Sequence, residues 1–187
     1  MHFPLLSEAF PRTMAVKISA VVLGTLLLTA SAKVQVPFWP VPMTMQTAVV
    51  LILGMAYGWR LGAATVALYL MQGLAGLPVF AGPLAGPAYF AGPTGGYLVG
   101  FLAAAVAVGV LAERGWDRTW GRAAVAMALG HAVIFAFGVA WLSVLFGAEK
   151  AIAVGLAPFW AATLLKTALG VVVVKAAWTL NERGGKA

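Results

Sequence analysis

No cysteine occurs among the 187 residues, so disulfides, thiolate metal sites and cysteine nucleophiles are excluded together. Charge is scarce too: Asp, Glu, Lys and Arg make up 9% of the chain, and only five residues are acidic. A water-soluble domain is about a quarter charged, because a polar surface must cover its core. A chain that is instead 63% hydrophobic, with a mean hydropathy of +0.97, can use lipid as the solvent for its exterior. There is no G-x-x-x-x-G-K-S/T run, which excludes ATP binding by a P-loop. No Asp or Glu falls within the long apolar stretches, which argues against a pump built on membrane carboxylates. His131 has no second histidine and no carboxylate near it in the sequence, so no metal site and no cofactor are expected.

Stretches free of charge run from Val34 to Trp59, Leu61 to Ala112 and Ala123 to Ala148. Each exceeds the roughly 20 residues that cross a bilayer core, and the middle one holds two spans. Two shorter runs, Ile18 to Ala32 and Ala151 to Leu165, become spans if Lys33 and Lys166 extend toward the interface. The expected fold is therefore all-α: one transmembrane domain over 1–187, with helices at roughly 14–32, 43–59, 61–77, 94–112, 122–146 and 157–179. With those spans, Arg12, Lys17, Arg60, Arg114, Arg118, Arg122, Lys175, Arg183 and Lys186 share one side, against Lys33 and Lys150 on the other. The positive-inside rule then makes both termini cytoplasmic and explains the formal charge of +7 without a nucleic-acid partner. Lys17, the apolar run after it and Ala30-Ser31-Ala32 also mimic a secretory signal. A retained first helix is the expectation, because the charge asymmetry needs it.

The connections divide into two kinds. Lys33 to Pro42 contains Pro37, Phe38, Trp39, Pro40 and Pro42, so it is read as non-helical and interfacial. Residues 59–60 join two spans directly, with Gly54, Gly58 and Gly62 spaced for close helix contact. From Pro78 to Pro93 the chain carries four prolines and no charge, and repeats Ala-Gly-Pro at 81–83, 85–87 and 91–93. Proline argues against helix there, yet Val79, Phe80, Leu84, Tyr89 and Phe90 make the segment very apolar. Irregular backbone at membrane depth must be buried or line a cavity. A cap over a pocket is the favoured reading, and an interfacial loop anchored by aromatics is the alternative.

Lys166 is the sharpest functional signal. It sits about 12 Å below the start of its helix at 1.5 Å per residue, where insertion costs roughly 2.5–3.5 kcal/mol. Thr163, Thr167 and Gly170 continue a small, polar stripe on that helix. An ammonium there suits an anionic ligand, and snorkelling to the interface is the alternative. Gln46 and Gln72 could read a polar ring or simply join helices. His131 is expected to pack or bond between helices. Ala20 and Gly24, four apart on the first helix, mark either a docking face or internal packing.

The runs Val41-Pro42-Met43-Thr44-Met45-Gln46-Thr47, Gly76-Leu77-Pro78-Val79-Phe80 and Gly92-Pro93-Thr94-Gly95-Gly96-Tyr97 resemble the BioY family, the biotin-specific S components of energy-coupling-factor (ECF) transporters. The resemblance extends over roughly residues 15 to 180. It implies a non-enzymatic six-helix subunit of the bacterial cytoplasmic membrane, with biotin as its transported ligand. The implied partners are a transmembrane coupling protein and cytoplasmic ATPases, with membrane lipid around the bundle and a biotin pocket near the outer surface beneath the first and third loops. Carried onto this chain, the substrate-binding candidates are Lys166, Thr163, Gln46 and Thr94 for polar contacts and Phe80, Tyr89 and Tyr97 for apolar walls. Ala20 and Gly24 are the implied docking candidates. The family's Pro-Phe pattern, followed by Asp at the fourth position and Lys three further on, is met by Pro158, Phe159 and Lys166. Thr163 stands where the Asp is expected. A related S component for riboflavin or thiamine would share the bundle. A channel or membrane enzyme would need a continuous polar pore or a catalytic constellation, and the sequence supplies neither.

Overall fold

The computed structural model describes residues 4–9 and 13–184, so Arg12 and Lys186 lie outside the described residues. A short α1 (Leu5–Ala9) precedes α2 (Met14–Lys33), whose first turn is capped by the Thr13 hydroxyl accepting from the Val16 amide. Its 20 residues rise about 30 Å, the thickness of a hydrocarbon core. Two-residue strands follow, β1 (Gln35–Val36) and β2 (Met43–Thr44), paired antiparallel with Gln35 opposite Thr44. The sequence placed a helix start at 43, but hydrogen bonding to β1 holds Met43 and Thr44 extended, and helix begins only at Gln46.

The next helix, α3 (Gln46–Leu74), is two legs that fold back on each other. Gly58 has φ +75°, a conformation open to glycine, and breaks the helix there. A Cβ placed on Gly62 would lie 3.1 Å from the Gly54 Cα, a contact impossible between residues eight apart in a continuous helix. The short connection at 59–60 expected from sequence is thus a reversal at Gly58. The leg 46–57 rises only about 18 Å, short of a full bilayer core, and β2 leads directly into it. Extended backbone is thereby placed inside the bundle, where it lines a cavity.

Segment 75–94 is mostly irregular, but it holds a helix that the prolines seemed to forbid, α4 (Pro87–Ala91). Pro87 occupies its first turn, where no intrahelical N–H is needed. The remaining elements are α5 (Gly95–Glu113), α6 (Trp120–Phe146), α7 (Ala148–Gly155), a 3-10 turn (Ala157–Phe159) and α8 (Trp160–Gly184). The short α7 was not foreseen from sequence; Gly147, at φ +85°, separates it from α6. Five segments among the described residues are long and apolar enough to cross a membrane, and one of them, α3, doubles back at Gly58.

Helix α3 packs against α2, α5 and α8, and α6 packs against α5 and α8. Leu28, Val50, Leu51, Met55, Val66, Leu98, Val108, Met127 and Ile134 fill the interior. Large apolar residues such as Val144, Leu164 and Leu165 face outward, as expected where lipid replaces water. Contact between α1 and α8 puts the two ends of the described chain on one side. There Asp117, 1% exposed, accepts from the Trp178 Nε1 at 2.8 Å, and the Arg118 guanidinium lies 3.5 Å from the centre of the Trp178 ring. Lys175 donates to the Arg118 carbonyl at 2.6 Å. Arg118 and Lys175, read above as topology signals, therefore also pin α8 to the connection between α5 and α6.

Candidate substrate-binding site

At the opposite end, β2, the starts of α3, α5 and α8, and the later part of α6 enclose a chamber beneath the first and third connections. Its polar wall is Thr44, Gln46, Thr47, Thr94, Tyr97, Thr163 and Lys166. The apolar wall includes Val41, Phe101, Ile134, Phe135 and Phe159, and Pro42 and Ala81 close the top. About 40 Å³ of the chamber is open to the centres of water-sized spheres.

Thr44, Gln46 and Tyr97 of the wall are held by hydrogen bonds within the protein. The Thr44 hydroxyl bonds Gln46 Oε1 at 3.2 Å and accepts from the Gln46 amide at 3.3 Å, which ties β2 to the first turn of α3. Gln46 Nε2 donates to the Tyr69 hydroxyl across the α3 hairpin, and that hydroxyl donates to the Val79 carbonyl at 2.9 Å. A single relay thus runs from the first connection to the third. Tyr97 donates to the Gly155 carbonyl at 2.7 Å, and its ring lies flat on Gly138, where a Cβ would collide with it. Trp141 Nε1 donates to the Gly92 carbonyl at 2.9 Å, which anchors the entry to α5.

Three wall side chains, Thr163, Lys166 and Thr47, make no side-chain hydrogen bond among the described residues. Lys166, only 8% exposed, has no hydrogen bond or ion pair among the described residues. The Thr47 hydroxyl oxygen is buried without a partner. No Asp or Glu lines the chamber, so Lys166 is its one formal charge. An uncompensated buried ammonium is costly, and an anionic or carbonyl-bearing ligand would satisfy it.

Five of the seven residues singled out from sequence meet here: Lys166, Thr163, Tyr97, Thr94 and Gln46. Phe80 and Tyr89 are placed elsewhere. Phe80 is 1% exposed and stacks on Tyr89 with ring centres 4.8 Å apart, beside Tyr69 and Phe90. The Phe80 ring also lies directly over Gly73, with no room for a Cβ between them. The pair forms the core of the cap and does not line the chamber, because an apolar segment this long must first bury its own aromatics. Ala20 and Gly24 are likewise turned inward. The Tyr57 hydroxyl donates to the Ala20 carbonyl at 3.0 Å, and a Cβ on Gly24 would meet the Thr65 methyl. Both serve packing of α2 on α3, so they are not an exposed docking face. Thr44, Thr47 and Phe159 were missed although they stand within the quoted motifs, and Ile134 and Phe135 carried no signal beyond an apolar helix.

No group of three His, Cys, Asp or Glu side chains among the described residues could hold a metal. The model of the BioY family matches residues 7–183. A biotin transporter BioY from Thermotoga maritima is 37% identical over 150 residues, covering 80% of this chain and 88% of the relative. A probable biotin transporter BioY from Pyrococcus horikoshii is 34% identical over 161 residues, covering 86% and 95%. The crystal structure of an S-component for biotin from an ECF-type ABC transporter superposes with a TM-score of 0.80 at 23% identity, covering 91% of this chain and 94% of that one. That likeness shows the fold, and the family match spans nearly all of the chain: it belongs to the BioY family.

Proposed function

We propose that this chain is the biotin-binding S component of an ECF-type importer in the bacterial cytoplasmic membrane, a binding and transport subunit without enzymatic activity. The observation that carries this reading is the unpaired Lys166 ammonium in an otherwise uncharged chamber of aromatic rings and hydroxyls. Biotin offers a carboxylate, an apolar chain and a ureido ring with donors and acceptors. A site with mostly apolar lining and a few polar anchors suits that combination. Thr163 supplies a hydroxyl one turn before Lys166, so the ligand meets no carboxylate on α8.

In this state the chamber's roughly 40 Å³ corresponds to about three waters at 10–15 Å³ each. Admission of biotin therefore requires the first connection to lift away from the ends of α6 and the 3-10 turn. Phe38 on Phe159, with ring centres 6.0 Å apart, and Trp39 on Phe146, at 6.3 Å, are the contacts that would open. The basic residues on the side of the chain ends make that side cytoplasmic, which turns the chamber outward. Because no P-loop is present, the driving energy comes from partners: a membrane coupling protein and cytoplasmic ATPases. The test is a titration of biotin, riboflavin and thiamine into the purified protein. Saturable binding of biotin alone supports the reading; binding of either other vitamin in its place overturns it.

A further inference from the structure

His131 is a buried titratable side chain that the chamber wall does not include. It is 2% exposed, and its Nε2 has no hydrogen-bond partner. The Nδ1 lies 3.1 Å from the Met127 carbonyl oxygen, an acceptor, so Nδ1 carries the ring proton and Nε2 is a bare lone pair. The Thr167 hydroxyl lies 3.2 Å from the same Nδ1, which seats the ring against the turn of α8 that bears Lys166. One turn beyond His131 on α6, Ile134 and Phe135 line the chamber. A buried acceptor without a donor thus packs, through Thr167, against the turn of α8 whose Lys166 ammonium has no hydrogen-bond partner among the described residues, and no carboxylate lines the chamber.

We propose that His131 is the positioning residue for Lys166: its Nε2 accepts one ammonium hydrogen at the chamber floor and leaves the other two for the ligand. This rests on Lys166 being a ligand contact, as the proposed function holds. The pairing itself is a property of the ligand-free protein and can be read without biotin.

The test uses the full chain in lipid nanodiscs. With histidine nitrogens labelled, the Nε2 signal of His131, assigned by its loss in His131→Asn, reports whether that lone pair accepts a hydrogen bond. The expected result is an Nε2 shift of a hydrogen-bonded acceptor that moves to the free-acceptor position in Lys166→Met. An unchanged signal in Lys166→Met overturns the inference, whether or not biotin binds. The second arm is biotin affinity. His131→Asn keeps a donor for the Met127 carbonyl but removes the acceptor at Nε2, and should weaken binding about tenfold, as loss of a bond to a charged group does. His131→Gln places an amide oxygen near the Nε2 position and should restore most of the affinity. Equal losses in the Asn and Gln variants would mark His131 as packing alone and overturn the positioning role. Absence of biotin binding by the wild type would instead defeat the proposed function, and the nitrogen signal would still decide the pairing.

Discussion

Lys33, in the last turn of α2, donates from Nζ to the Phe80 carbonyl at 2.7 Å and reaches the Gly82 carbonyl at 3.4 Å. One side chain thereby ties the first spanning helix to the cap, a link 47 residues distant in sequence. Its charge had been read only as a marker of the outer side. In the fold it satisfies carbonyls that the proline-broken segment cannot pair with itself.

Removing that tie should loosen the cap and leave the chamber intact. Lys33→Met is expected to speed biotin release about three- to tenfold, as a partly exposed bond to a charged donor is lost. The association rate should change less. Rapid-mixing kinetics with labelled biotin check it, and an unchanged release rate would show that the tie does not hold the cap.

Gly138 leaves room for the Tyr97 ring and nothing more. Gly138→Ala forces the ring off its seat at a cost of about 1–3 kcal/mol, lowering both Tm and biotin affinity. Tyr97→Phe, which keeps the ring but leaves the Gly155 carbonyl unsatisfied, should destabilise by a similar 1–3 kcal/mol. Thermal melts with and without biotin distinguish the two, since only the alanine variant should also lose most of its ligand-induced shift.

Tyr69 joins Gln46 to the Val79 carbonyl. Tyr69→Phe removes both bonds at once and is expected to cost about 1–3 kcal/mol of stability. Faster amide exchange should appear in 79–81 and in 44–47 together, because the relay holds both. Exchange that rises in only one of these segments would contradict the relay.

At the far end, Trp178→Phe removes the bond to buried Asp117 and keeps most of the packing. Stability should fall by about 1–3 kcal/mol, while biotin affinity of the folded protein stays within about twofold, since sites this far apart usually add independently. Parallel melts and titrations measure both quantities.

The long helices were legible because the bilayer sets their length and excludes charge, so α2, α5 and α6 could be read from Lys33, Glu113 and the uncharged run before Glu149. Lys166 was legible for the same reason: a lysine in that setting is too costly to be incidental. Gly58 showed the hairpin only through spacing, and its reversal became definite with its positive φ. The inward face of α2 was not legible, since Ala20 and Gly24 would look alike on a docking face and in an internal seam. The packing of Phe80 and Tyr89 on each other was not legible, because aromatics in an apolar loop fit a cap's core and a pocket's wall equally well. β2 and α4 depend on pairing across the first connection and on proline at a first turn, which composition alone does not reveal.

The central claim is that the Lys166 chamber captures biotin, and isothermal titration of biotin into purified wild type and Lys166→Met tests it most directly. Saturable binding by the wild type is expected, with a loss of at least about tenfold in the variant and the two melting within a few degrees of each other. Wild-type affinity retained by a folded Lys166→Met protein would contradict it.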